Sequence, residues 1–183
     1  MNKLQGLSIN LDLDATRVDE GMKGLKRTLG SVNSEMKANL SAFGKGEKTL
    51  SRYETELDGL NKKLSVQSKM VSQTKNDFKD LEKRNASLNG ELKESNKTLT
   101  ESKKRFEQLQ TSGTATTKEL KAAEKEVKTN EKAYNNLNKE LQDMPKSLTN
   151  AQKAVYKETA SYNNLQRKVD TTTEAFKKLR REQ

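Results

Sequence analysis

The sequence predicts an all-α protein of long heptad-patterned helices, preceded by a short N-terminal β-strand. Three observations lead there. The 183 residues are 30% hydrophobic, 34% charged and only 4% aromatic, against roughly 45–50% apolar and ~25% charged in an ordinary globular domain. Such a chain cannot bury a thick core. Its apolar residues also recur every seven positions from Met22 to Phe176. Finally, its single proline, Pro145, falls inside that count without shifting it.

Residues 1–14 are expected to form an arm. The stretch GLSINLDLDA alternates Leu7, Ile9, Leu11 and Leu13 with Ser8, Asn10, Asp12 and Asp14. A period of two is that of a strand. A lone strand is marginal in water and needs a partner. Asp14 or Thr16 is placed to cap the first helix.

Residues 15–183 read as one heptad-repeat helical region. Its first row, a, holds Met22, Leu29, Met36, Phe43, Leu50, Leu57, Leu64, Val71, Phe78, Leu92, Leu99 and Phe106. It continues with Leu120, Val127, Tyr134, Leu141, Leu148, Val155, Tyr162, Val169 and Phe176, interrupted only by Asn85 and Gly113. Three residues further on, row d carries Leu25, Val32, Leu60, Leu88, Met144 and Leu165, but also Gln67, Thr74, Ser102 and Glu158. An apolar seam with a 3.5-residue spacing is the pattern of a coiled coil, and polar residues in it set register at a cost in stability. Aromatics at a with polar d suit a looser assembly than a two-stranded zipper, so a trimer or higher homo-oligomer is expected.

Breaks are expected near 44–46, at Gly44 and Gly46; near 111–117, around Gly113 with Ser112 or Thr114 as the next cap; and near 143–147, at Pro145. An extended coiled coil and a bundle folded back at Gly113 or Pro145 both fit the pattern. Phase kept through all three breaks favours the extended form, about 230 Å from Met22 to Phe176 at ~1.5 Å per residue. An isolated chain is expected to fold back at Gly113 or Pro145. Leu120 to Leu137 (LKAAEKEVKTNEKAYNNL) and Leu148 to Leu165 (LTNAQKAVYKETASYNNL) form a repeat offset by four heptads, a duplication that lengthens a rod without disturbing its seam.

Opposite the seam lies row f. It holds Arg27, Lys48, Lys62, Lys69, Lys83, Lys97, Lys104, Lys118, Lys125, Lys132, Lys139, Lys146, Lys153, Arg167 and Arg181, and only one acid within that span, Glu174. Acids gather beside the seam instead, at Glu47, Glu54, Glu56, Glu82, Glu91, Glu119, Glu124, Glu126, Glu131 and Glu140. With a net charge of +10, this basic stripe calls for a polyanionic neighbour: nucleic acid, an anionic lipid surface or an acidic protein wall. Spaced single lysines do not resemble the dense basic region that enters a major groove. Without interleaved aromatics there is no platform for stacking single strands. No sequence-specific nucleic-acid contact is expected.

The chain has no Cys, His or Trp. That excludes a thiol nucleophile, a disulfide, a histidine base and histidine or thiolate metal ligands. Asp12 and Asp14 alone are weak evidence for a cation. No catalytic, cofactor or metal residue is assigned, and the protein is read as non-enzymatic. The start MNKLQGLSIN lacks the apolar core of a signal peptide, and no apolar run reaches the ~20 residues of a membrane span.

The stretch GLSINLDLDATRVDEGMKGLKRTLGSVNSEMKANLSAF, followed by YETELDGLNKKLSVQSKMV, resembles the N-terminal region of tail tape measure proteins. These belong to long-tailed phages and prophages of Gram-positive bacteria, including staphylococcal types. The resemblance runs from Gly6 to about Val71; beyond that only the coiled-coil style is shared. It implies an elongated helical protein, present in several copies inside the tail tube, whose length sets the number of tube rings. It further implies binding to tail tube protein and tail-assembly chaperones, residence in the host cytoplasm during assembly and then in the virion tail interior, and exit ahead of the DNA. Family members are usually several hundred residues or longer, with apolar segments and sometimes a wall-degrading domain. The chain is therefore expected to be a fragment or truncated frame, without those activities. The competing expectation is a soluble coiled-coil adaptor or truncated antagonist that binds tail-assembly partners.

Overall fold

The computed structural model describes residues 21–182, and these are all-α. The strand expected at residues 7–13 and the caps expected at Asp14 or Thr16 lie outside the described residues. Three helices follow in order: α1 (Gly21–Leu40), α2 (Leu50–Thr111) and α3 (Thr117–Glu182). They divide into two compact units. The first comprises α1 with residues 50–76 and 154–182; the second is Asp77–Lys153.

The helix ends that flank the two loops have local chemical causes. After α1, the chain turns through Gly46, whose φ of 82° lies in the left-handed region that favours glycine. The Gly44 amide donates to Glu47 Oε2 (2.8 Å). Thr49 then caps α2, its hydroxyl accepting from the Arg52 amide at 3.3 Å. At the end of α2, Gly113 takes φ 66° just past the last helical residues, the usual place for a left-handed glycine. The cap of α3 is Thr116, not Ser112 or Thr114. Its hydroxyl accepts from the Glu119 amide at 3.3 Å, and its own amide donates to Glu119 Oε2 at 2.8 Å. This reciprocal pair is a capping box, Thr-x-x-Glu.

The break expected at 143–147 is not one: Pro145 lies inside α3. A proline costs roughly 3 kcal/mol in a helix interior. Here Met144, next to it, is buried at 3% exposure, and burial of a side chain of that size, worth about 1.5–3 kcal/mol, offsets much of the lost donor. Below the proline, Ser147 Oγ donates to the Asp143 carbonyl and Thr149 Oγ1 to the Pro145 carbonyl, at 3.2 and 2.9 Å.

The second unit is a helical hairpin. Across it Arg84 meets Glu140, Lys103 meets Glu131 and Arg105 meets Glu126. Rising α2 numbers meet falling α3 numbers, so the two segments run antiparallel and the chain folds back at 112–116. Here the extended form expected from the unbroken phase gives way. A left-handed glycine and a capping box sit in succession, and each ends or starts a helix.

In the first unit three helices pack together. Leu25 and Val32 of α1 cluster with Val66 and Met70 of α2, and Met22 and Leu29 pack against them. Lys62 of α2 reaches Glu35 of α1 at 3.0 Å. A Cβ placed on Gly59 would lie 2.9 Å from Met36 Cβ and 2.8 Å from its Sδ. Glycine is what lets α1 and α2 approach this closely.

Candidate functional site

The two rows singled out by the heptad count behave differently. Every apolar residue of row a within the described residues is half-buried, except Leu99, which is buried. Most of the fully buried residues lie on row d. It contains Leu25, Val32, Leu60, Leu88, Ala123, Met144 and Leu165, together with Gln67, Thr74, Ser102, Glu158 and Thr172. The sequence makes row a the more apolar of the two seam rows; the structure buries residues of row d more deeply. Row d alternates Leu and Met with Ala, Ser and Thr, so backbones approach along it. The Phe and Tyr side chains of row a are too bulky for the narrowest line and flank it.

The polar residues on row d are satisfied. Thr74 Oγ1 donates to the Met70 carbonyl and Ser102 Oγ to the Leu99 carbonyl, at 3.1 and 2.9 Å. Gln67 Nε2 donates to Glu158 Oε2 at 2.6 Å and to the Glu158 carbonyl at 3.1 Å. This pair joins α2 to α3 in the first unit. Among the described residues no buried side-chain polar atom lacks a partner, as the cost of desolvating an unpaired polar group requires.

The heptad count missed a second contact face on α2. Gly59, Val66 and Met70 lie off rows a and d, yet all three are buried. A middle helix with a neighbour on each side needs two such faces. The signal was a small or apolar residue at 59, 66 and 70, spaced by seven and four.

Row f is exposed at Arg27, Lys48, Lys83, Lys97, Lys104, Lys118, Lys125, Lys132, Lys139, Lys146, Lys153, Arg167 and Arg181, and half-buried at Lys62 and Lys69. Lys62 faces α1 and is held between Asp58 (2.9 Å) and Glu35 (3.0 Å). Its pKa is raised by the hydrogen bond to Asp58 and then by that to Glu35. Arg84, off this row, forms a node. Its Nε and Nη2 donate to the two carboxylate oxygens of Glu140 at 2.6 and 2.8 Å, while Nη1 donates to Glu91 at 2.6 Å. The Arg84 hydrogen bonds hold both glutamates below their ordinary pKa.

An open cleft of ≈ 410 Å³ lies among the three helices of the first unit, lined by Met36, Glu56, Leu60, Lys63, Arg167, Lys168, Thr171 and Thr172. Burial lowers the Lys63 pKa, and nearby Lys168 lowers it further. Among the described residues no group of three or more acids is placed to hold a metal ion, and no helix is long and apolar enough to cross a membrane. The chain matches no protein-family model, no curated protein and no solved structure.

Proposed function

We propose that this chain is a non-enzymatic structural protein, the N-terminal part of a phage tail tape measure that acts as length ruler and scaffold for tail-tube assembly. The resemblance of Gly6 to about Val71 supplies the family. The observation that carries the reading is the continuity of α3 through Pro145, with the count from Leu141 to Leu148 unshifted. A helix that tolerates its proline and grows by whole heptads is suited to measuring length.

In this reading the chain works as a coiled-coil homo-oligomer, a trimer or higher. Half-buried apolar side chains on row a of the second unit, such as Phe78, Leu92, Phe106 and Tyr134, support self-association. Its partners are tail tube protein and tail-assembly chaperones. Its place is the host cytoplasm during assembly and then the virion tail interior. Deleting whole heptads in the full-length parent should shorten tails by about 10 Å per heptad, at ~1.5 Å per residue, as seen by electron microscopy. Unchanged tails would sink the ruler.

A second reading, a coiled-coil adaptor or antagonist that holds tail-assembly partners, is favoured by the turn at 112–116. Gly113 and the Thr116–Glu119 box make the fold-back a feature of the sequence itself. Light scattering on gel filtration separates the two readings: a compact monomer favours the adaptor, a trimer or larger species the ruler.

A further inference from the structure

We propose that the outer face of α3 between Lys118 and Lys153 binds the phosphate backbone of duplex nucleic acid without reading its sequence. This goes beyond the tape-measure reading and does not depend on it. Lys118, Lys125, Lys132, Lys139, Lys146 and Lys153 occupy every f position of this stretch, and all six are exposed. Successive lysines are about 10.5 Å apart along the helix. None of the six takes part in an ion pair among the described residues. The matching row on α2 within the same unit is broken by Gly90 and Thr111, and its Lys83 is paired with Asp80.

The acids of this stretch are drawn away from the face. Glu126, Glu131 and Glu140 pair across to α2, Glu119 closes the helix cap, and Glu124 holds Lys128. Asp143 is the one acid left between the lysines. Cross-helix pairing thus neutralises the inner edges of the hairpin and leaves positive charge on the outside.

The residues between the lysines choose among polyanions. Thr129, Asn135, Asn136, Gln142, Thr149 and Asn150 are all exposed on this face. Lysines with amides and hydroxyls are the side chains that contact phosphate and sugar. Helices that lie on a lipid surface add the insertion of an apolar face to electrostatic attraction, and here only Ala122 is apolar. Protein interfaces are depleted in lysine and enriched in aromatics. Single strands need aromatic platforms. Duplex phosphate remains.

The test is fluorescence anisotropy of a labelled 30-base-pair duplex with the full chain, between 50 and 200 mM salt. Each lysine seated on a phosphate contributes about −0.9 to the slope of log K against log salt, so a slope of about −3 or steeper is expected. Changing all six lysines to Gln, an equally good helix former, should weaken binding at least tenfold at 50 mM and flatten the slope by about 3. A charge-matched control, with Lys26, Lys45, Lys75, Lys79, Lys93 and Lys178 changed to Gln, should lose less than threefold. The triple variant Lys125→Gln, Lys132→Gln, Lys139→Gln should fall between wild type and the sixfold variant, and it carries the test if the sixfold variant loses helix by circular dichroism. Equal loss in control and test variants would overturn the proposal, as would no binding by the wild type at 50 mM salt. So would displacement by polyglutamate as effective as unlabelled duplex at equal charge, which would assign the face to an acidic protein. Capture by vesicles containing anionic lipid, without duplex binding, would overturn it too.

Discussion

The first unit packs three helices and the second packs two, and nearly every difference between them follows from that count. With a neighbour on each side, α2 in the first unit buries two faces: Leu60 and Gln67 on one, Gly59, Val66 and Met70 on the other. In the second unit each helix has a single neighbour. One row is then the most that can be shielded, and Leu88, Ser102, Ala123 and Met144 on row d, joined by Leu99, make up its buried line. Ion pairs do more of the cross-helix joining there: Arg84–Glu140, Lys103–Glu131 and Arg105–Glu126. At half-exposed sites such pairs contribute little each. The comparison teaches that a heptad pattern sets how a helix can pack, while the number of neighbours sets how much it buries.

The sharpest way to break this comparison is Leu88→Ala. Leu88 is fully buried at 0% exposure in a core one row deep, and Leu→Ala in a core costs about 2–5 kcal/mol. Hydrogen exchange should show protection lost within 77–153 and kept in α1 and 59–70. Equal loss in both units would mean that they unfold as one. Next in size is Gln67→Leu, which strips Glu158 of its buried donor at a cost of about 2 kcal/mol. Adding Glu158→Leu should recover most of that, because two apolar groups facing each other need no partner. A double variant no more stable than the single one would show that the pair does more than satisfy itself.

The smallest effect concerns acid. Glu91 and Glu140 have pKa values lowered by Arg84. A lowered carboxylate pKa gives stability that is present above the unfolded value, near 4.5, and is lost as pH falls through the folded one. Thermal melts should therefore show wild type losing stability as pH falls below the ordinary glutamate value of 4.5. Arg84→Gln should lose less over the same range. Parallel pH profiles for the two proteins would remove the Arg84 node from the account.

Much of the helical content was legible because it rests on periodicity and local chemistry. Row a marks which side of each helix is sheltered, and none of its apolar residues is exposed among the described ones. Row f marks the outer side nearly everywhere. Gly46 and Gly113 marked the two turns because few other residues accept their backbone angles. What escaped was set by distant partners. Lys62 leaves the outer row because it turns to Glu35 of α1. Gly59 matters only because Met36 lies against it. Sequence does not distinguish Thr116 from Ser112 and Thr114 as the cap, since any hydroxyl in that stretch offers the same capping chemistry and only the backbone path selects one.

The sequence by itself determined the fold class, the sheltered and outer sides of the helices, the turn at Gly113 and the segregation of lysines from glutamates. These depend on residues within a turn or two of one another. Only the tertiary structure decided that row d rather than row a forms the buried line. It also decided that Gln67 and Glu158 satisfy each other, and that α3 runs on through Pro145. Each of these weighs a local preference against burial from another helix. At Pro145 the local cost is roughly 3 kcal/mol, and burial beside it at Met144, worth about 1.5–3 kcal/mol, offsets much of that cost.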